Sequence, residues 1–260
     1  MVKGLKEPKL RFSEYRGTEG WEKVKLGGVI EVAPKSKRKA SEGSVEGVYP
    51  FYTNSTTDSK QFIDESDLAG KYVIANTGGK AYFEYIDGEF SYMGDCFVFT
   101  SETINPRFLF DLLKYKTDYI NELGFTGSGL KHLDKEWFNN LKLFVPKGVL
   151  EQQKIGEFFS LLDQKINLQS EKIQNLTLYK KGLLQQVMSR EIRFKDSEGR
   201  EYPEWSKVKF EEVFKTVSQK GCQIQLTDVL KEGLYEVVDQ GQEQVRGYSD
   251  DEEKLFTDLP

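Results

Sequence analysis

The fold class this sequence predicts is an α+β domain, then one long coiled-coil helix, then a partial second α+β domain. Three observations predict it. Two interleaved series of residues seven apart, Ile155, Leu162, Gln169, Leu176, Leu183 and Phe159, Ile166, Ile173, Lys180, Val187, are the d and a rows of a heptad. Ahead of them lie short β-type runs bounded by turn residues, with one amphipathic helical stretch. After them the opening phrases of the chain return. The boundaries this implies are 1–148, 149–189 and 190–260.

The heptads run from Val149 to Ser189, which at 1.5 Å per residue is a helix about 60 Å long. Only Gln169 and Lys180 interrupt its apolar seam. A helix this long between globular segments has no local surface to bury the seam on, so a second long helix is expected against it. That partner is not among these 260 residues.

Taken in order, the chain opens with Pro8-Lys9-Leu10-Arg11-Phe12, a Gly/Glu turn, and Trp21-Glu22-Lys23-Val24-Lys25-Leu26. Directly after the long helix come Glu191-Ile192-Arg193-Phe194, another such turn, and Trp205-Ser206-Lys207-Val208-Lys209-Phe210. The offset is 182 at Phe12/Phe194 and 184 at Trp21/Trp205. A third pair, Gly47–Tyr52 against Gly233–Val238, follows at offset 186. Three phrases in the same order at nearly constant offset indicate an internal duplication. The second copy stops at Pro260, about where the first reaches Thr77.

Within the first copy, Lys71–Ala75 reads as a buried strand, and Ala81–Ile86 as a strand meeting Phe90–Tyr92 across an Asp87-Gly88 hairpin. Asp95–Thr100 is a further strand. Asn105-Pro106 opens a helix, Phe108 to Leu123, with apolar residues at 108, 109, 112, 113, 119, 120 and 123 on one side. The chain returns through Trp137, Leu141, Leu143 and Val145, and the domain closes at Pro146-Lys147-Gly148.

Composition narrows the function classes. With 38% apolar and 13% aromatic residues the chain has the means for a real core. Cys96 and Cys222 stand far apart without a CxxC, and His132 is the lone histidine, so a structural zinc site is not indicated and the thiols are expected to be reduced. Met1–Leu10 carries Lys3, Lys6, Glu7 and Lys9 and no apolar leader. No window approaches the roughly 18 apolar residues of a membrane span, so a cytoplasmic setting without a membrane is expected. The net charge of −5 opposes phosphate binding on average, yet residues 1–40 carry +6 and residues 241–260 carry −4. A local basic face is therefore compatible with an acidic chain.

Several phrases together resemble the specificity subunit of a type I restriction–modification system. They are Gly47–Tyr52, Tyr-Val-Ile-Ala-Asn-Thr-Gly-Gly (72–79), Gly-Ser-Gly-Leu-Lys-His-Leu (127–133), Val145-Pro146 and Glu151-Gln152-Gln153-Lys154-Ile155 with Phe158–Asp163. Lys181–Gln186, Arg193–Asp196 and Pro203-Glu204-Trp205 complete the match, which covers most of the chain. The resemblance implies two target-recognition domains joined by a central helix and closed by a second one, the pair forming an antiparallel coiled coil. It implies that each domain reads half of a split site in double-stranded DNA. It implies no catalysis and no cofactor in this chain. The partners it implies are a methyltransferase (M) subunit and, through it, a restriction (R) subunit.

Here the second domain is cut short and the closing helix is missing, so the expectation is either a truncated subunit or two copies paired as a homodimer through Ile155–Val187. The competing expectation from another class is an interaction protein that occupies the methyltransferase through the helix without reading DNA.

Candidate DNA-binding residues fall in three groups. The densest basic run, Lys35, Lys37, Arg38 and Lys39, would contact phosphates, and its bland reading is a solvated loop. Asn76, Thr77 and Lys80, with Asn54, flank glycines that admit a close ligand; Asn can pair with adenine, and Lys can reach guanine or phosphate. The competing reading is an ordinary turn. Gly79-Lys80 lacks the spacing of a nucleotide-binding P-loop. Thr126, Ser128 and Lys131 lie on a Gly-rich loop beside His132, which has no nucleophile or carboxylate marked as its partner. Asn105-Pro106-Arg107-Phe108 only partly echoes a methyltransferase motif, and no paired-carboxylate cluster for a nuclease metal occurs. No residue is assigned to catalysis or to a metal.

Overall fold

A computed structural model describes residue 8 and residues 10–54, 61–215 and 221–257; the basic residues Lys3, Lys6 and Lys9 of the N-terminal stretch lie outside them. The chain divides into two compact units, 1–183 and 184–260. In the first unit, strands β1 (Trp21–Lys25), β2 (Glu31–Val32), β3 (Tyr49–Tyr52), β4 (Gln61–Ile63), β5 (Leu68–Ala75), β6 (Phe83–Tyr92) and β7 (Phe97–Thr100) precede helices α1 (Pro106–Tyr115) and α2 (Thr117–Leu123). Then come β8 (Phe125–Thr126), β9 (His132–Leu133), α3 (Lys135–Asn139), β10 (Lys142–Pro146) and the long helix α4 (Val149–Met188). After α4 lie α5 (Phe210–Val213), β11 (Tyr235–Val238) and β12 (Val245–Ser249).

Six strands form one sheet in the order β2-β7-β5-β6-β3-β4, antiparallel throughout except for the parallel pair β3–β6. Period-2 alternation assigns its two faces to two cores. Val73, Ala75, Phe97 and Phe99 join Leu109, Leu113 and Ile120 of the helices in the larger core, while Ile74 and Val98 turn the other way to meet Phe90 and Tyr92.

Asp87-Gly88 is not a hairpin. β6 runs straight through it, and the hairpin is β5–β6, with Gly70 paired to Gly88. Both glycines have positive φ, +131° and +139°. The connectivity explains why. Nine residue steps separate Phe83 from Tyr92, about 30 Å if straight, whereas the five steps from Tyr92 to Phe97 reach at most about 18 Å. Yet Phe83 and Phe97 both pair with Ala75. The β5–β6 ribbon must therefore curl, and two facing glycines permit the bend.

The expected helix from Phe108 to Leu123 is also two helices, broken at Lys116. Asn105 caps α1 by accepting from the Phe108 N–H at 3.1 Å. The break redirects the chain so that Ile120 is fully buried while Tyr119 and Leu123 stay exposed.

α4 spans 40 residues without interruption. Its first two turns are docked on the domain. Glu151, 2% exposed, accepts from Arg11 Nε and Nη2 at 2.7 Å each, and from Trp21 Nε1 at 3.2 Å. Gln152 Nε2 donates to the Pro146 carbonyl at 2.8 Å, and its Oε1 accepts from the Asn105 N–H at 2.8 Å. At Gly156 a Cβ would stand 3.1 Å from both Arg107 Cγ and Phe108 N, so helix α1 crosses where α4 has no side chain. Arg107 completes the contact with an ion pair to Asp163.

Beyond this docking site the seam is open. Ile155 belongs to the domain core rather than to the open seam, whereas Phe159, Leu162, Ile166, Ile173 and Leu176 are exposed, Ile173 by 63%. Leu183 and Val187 are half-buried. Arg190, at φ 67°, takes the left-handed conformation that ends the helix.

The second unit repeats the first in register. β3 pairs Tyr49 with Ile63 and Phe51 with Gln61; β11 and β12 pair Tyr235 with Ser249 and Val237 with Gly247. The bridge Ser44–Phe62 recurs as Leu230–Tyr248. Every partner is displaced by 186. What does not recur is the cover. Leu26 is 0% exposed, but its counterpart Phe210 is 75% exposed. β1 is paired by β10, and no strand does the same for Trp205–Lys209 among the described residues.

Candidate nucleic-acid interface

The candidate residues sit on connections between strands, and hydrogen bonds tie those connections together. The β5–β6 turn meets the β8–β9 loop through Gly79 N–H to the Lys131 carbonyl (2.8 Å), Leu133 N–H to the Thr77 carbonyl (2.9 Å) and a Gly78–His132 bridge. Thr77 links two more segments. Its N–H donates to Asn54 Oδ1 at 2.8 Å after β3, and its hydroxyl donates to the Asp95 carbonyl at 2.7 Å in the β6–β7 turn. That turn in turn holds the basic run, with Gly94 N–H donating to the Arg38 carbonyl at 3.1 Å. Three groups separated by up to about a hundred residues of sequence are thereby joined.

The three groups divide into anchors and free side chains. Asn76 is an anchor: it is 4% exposed, its Nδ2 donates to the Gly78 carbonyl, and its Oδ1 accepts from the Tyr82 N–H. Each end of the amide makes one bond within the turn. Asn54 and Thr77 are likewise committed to each other. Arg38 is not the free cation expected in a basic run, because Asp67 and Glu65 hold its guanidinium. Partial burial works against its charge, but hydrogen bonds and attraction from those carboxylates keep its pKa above the ordinary value. The side chains left in solvent are Lys35, Lys37, Lys39, Lys80, Thr126, Ser128 and Lys131.

Lys135 escaped the sequence reading. It is the first residue of α3, after the N-cap Asp134, and its ammonium lies 5.2 Å over the Phe97 ring. With Lys35, Thr77 and Asp95 it lines a pocket to which Tyr92 and Val98 also contribute. The available signal was a capped helix start directly after the Gly-rich loop. Cys96 also lines this pocket, and burial pushes its thiol up to about 12.

Hydroxyls and cations on connections tied together by hydrogen bonds suit a polyanion. No group of three His, Cys, Asp or Glu side chains able to hold a metal occurs among the described residues, and no helix among them is long and apolar enough to cross a membrane.

The family described as type I restriction modification DNA specificity domain matches residues 18–178. The chain is 27% identical over 234 residues to the type I restriction enzyme MjaVIII specificity subunit of Methanocaldococcus jannaschii, a match covering 80% of this chain and 53% of that protein. It thus spans about half the length of that relative. The crystal structure of a type I restriction–modification S subunit from M. genitalium matches 95% of this chain and 65% of its own with a TM-score of 0.66. At 14% identity this is a likeness of fold.

Proposed function

The chain belongs to the type I restriction–modification DNA specificity family, and from that premise we propose that it is the DNA-reading component of such a complex and has no catalytic role. In this reading residues 1–148 read one half of a bipartite site in double-stranded DNA. Residues 149–189 set the spacing and dock a methyltransferase subunit, which brings a restriction subunit with it. Residues 190–260 belong to a second recognition domain. One observation carries the proposal: connections far apart in sequence deliver exposed Lys35, Lys80, Lys131 and Lys135 to one place, while the polar groups that build that place are satisfied internally. Phosphate contacts position a protein and base contacts specify. In this division of labour the lysines contact the backbone, and Thr126 and Ser128 reach groove edges.

The apolar seam Phe159–Leu176 takes a second long helix, and a second copy of this chain supplies one by two-fold pairing. The decisive experiment is selection from a random duplex pool by the complex of this chain with its methyltransferase. Enrichment of a short half-site, changed or lost on Thr126→Ala with Ser128→Ala, is expected, whereas Lys80→Ala or Lys131→Ala weakens binding across all sequences. A pool that stays random while the complex still forms would overturn the DNA-reading role.

A further inference from the structure

Exposure alternates along the basic run: Lys35, Lys37 and Lys39 are exposed, and Ser36 and Arg38 are half-buried between them. The Arg38 N–H donates to the Ser36 hydroxyl oxygen at 3.1 Å, which fixes the run with its two half-buried residues on the domain and its three lysines in solvent. The segment is fixed from beneath. Ala33 N–H donates to the Val98 carbonyl at 2.9 Å, the Tyr92 hydroxyl donates to the Pro34 carbonyl, and Lys39 N–H donates to Glu42 Oε1 at 2.7 Å. At Gly94 a Cβ would stand 2.5 Å from the Ser36 carbonyl oxygen, so the run lies directly on the β6–β7 turn.

The Arg38 side chain reaches the other way. Nε donates to both Asp67 carboxylate oxygens at 2.9 Å, Nη2 donates to Glu65 at 3.2 Å, and Nη1 lies 3.6 Å from Glu42. The turn carrying those acids is itself rigid. Ser91, 0% exposed, accepts from the Asp67 N–H at 3.0 Å and donates to the Glu65 carbonyl at 2.6 Å. A guanidinium facing three carboxylates is already neutralised and has nothing to offer a phosphate.

We propose that Arg38 is a positioning residue, a strut that holds Lys35, Lys37 and Lys39 as a comb toward the phosphates of double-stranded DNA and makes no DNA contact of its own. The proposal rests on the DNA-reading role above. It makes the acids Asp67 and Glu65 supporters of binding to a polyanion, against the ordinary expectation that acidic residues oppose it.

The test is fluorescence anisotropy of the full chain on a random-sequence duplex across a salt series, with unfolding midpoints measured alongside. Replacing Lys35, Lys37 and Lys39 together by Gln is expected to weaken binding and flatten the plot of log affinity against log salt by about 2 to 3. Asp67→Asn removes a negative charge, yet is expected to weaken binding roughly three- to tenfold, with Asp67→Glu restoring it. Glu65→Gln, at a side chain 80% exposed, gives the same direction without endangering the fold. Arg38→Lys keeps the charge but loses the fork and weakens binding too.

Equal or tighter binding by Asp67→Asn and Glu65→Gln, or Arg38→Lys indistinguishable from the parent, overturns the strut. If the triple lysine variant leaves affinity and slope unchanged, this loop does not meet DNA, and the strut falls together with that part of the functional reading. If the triple variant weakens binding and the acid variants do not, the strut alone falls.

Discussion

Replacing Glu151 by Ala leaves Arg11 buried without its carboxylate. Arg11 is 7% exposed and Glu151 is 2% exposed, and they are joined by two parallel bonds of 2.7 Å, so solvent cannot take over when one partner goes. Breaking a buried pair from one side costs about 3–5 kcal/mol. Arg11 Nη2 keeps the Glu19 carbonyl at 2.6 Å and Thr18 Oγ1 at 3.1 Å, which sets the expectation at the lower end, about 3 kcal/mol.

Trp21 loses an acceptor in the same step, so tryptophan fluorescence in a urea titration reports both the local change and the unfolding. Converting the pair to apolar residues, Arg11→Met with Glu151→Leu, is expected to recover most of the loss, since desolvation offsets much of a buried pair's attraction. Glu204→Ala in the second unit is the contrast. This partner of Arg193 is 78% exposed, and screening leaves about 0–1 kcal/mol. A Glu151→Ala protein within about 1 kcal/mol of the parent would refute the view that this pair locks the long helix to the domain.

Other consequences are open to direct measurement. Gly156→Leu drives a side chain into Arg107 and the α1 backbone; it should cost about 1–3 kcal/mol in thermal or chemical denaturation and loosen the start of α4 in hydrogen exchange. Cys96, its thiol raised to about 12 by burial, should resist alkylation at pH 8 in the folded protein and react only after denaturant is added, as mass spectrometry of the modified peptide would show. Ile166→Asp with Ile173→Asp puts charge into the open seam and should lower the mass seen by light scattering at high concentration; equal masses for variant and parent would sever the seam from self-association.

The helix was legible to within a residue or two because a seven-residue period is a local signal repeated many times, and Ser189 lies one residue beyond its observed end. The duplication was legible for a similar reason, since Trp21/Trp205 and Gly47/Gly233 recur in order. Asp87-Gly88 misled because a glycine in a curled ribbon and a glycine in a tight turn look alike in sequence. Gly88 faces Gly70 inside that ribbon, and the curl the two permit is required by the pairing of Ala75 with both Phe83 and Phe97. Asn76 and Arg38 are a different case. A polar side chain advertises its donors, but whether they are spent depends on a neighbour's backbone or on acids nearly thirty residues away. Arg11 gave one overlooked sign: it recurs as Arg193, and both arginines bond carbonyls of their following turn, Glu19 in one case and Tyr202 and Pro203 in the other.

In the first unit β3–β4 lies at the margin of a six-stranded sheet and leans on β6. In the second the same ribbon, β11–β12, keeps its register and its bridge, with no other strand paired to it among the described residues. Its alignment is therefore written locally, in positions such as Gly47 and Gly233, where a Cβ would stand 2.8 and 3.0 Å from the opposite chain. During synthesis this ribbon can set its pairing as soon as it leaves the ribosome. The longer-range parallel contact with β6 is then added to a ribbon whose own register needs no other strand.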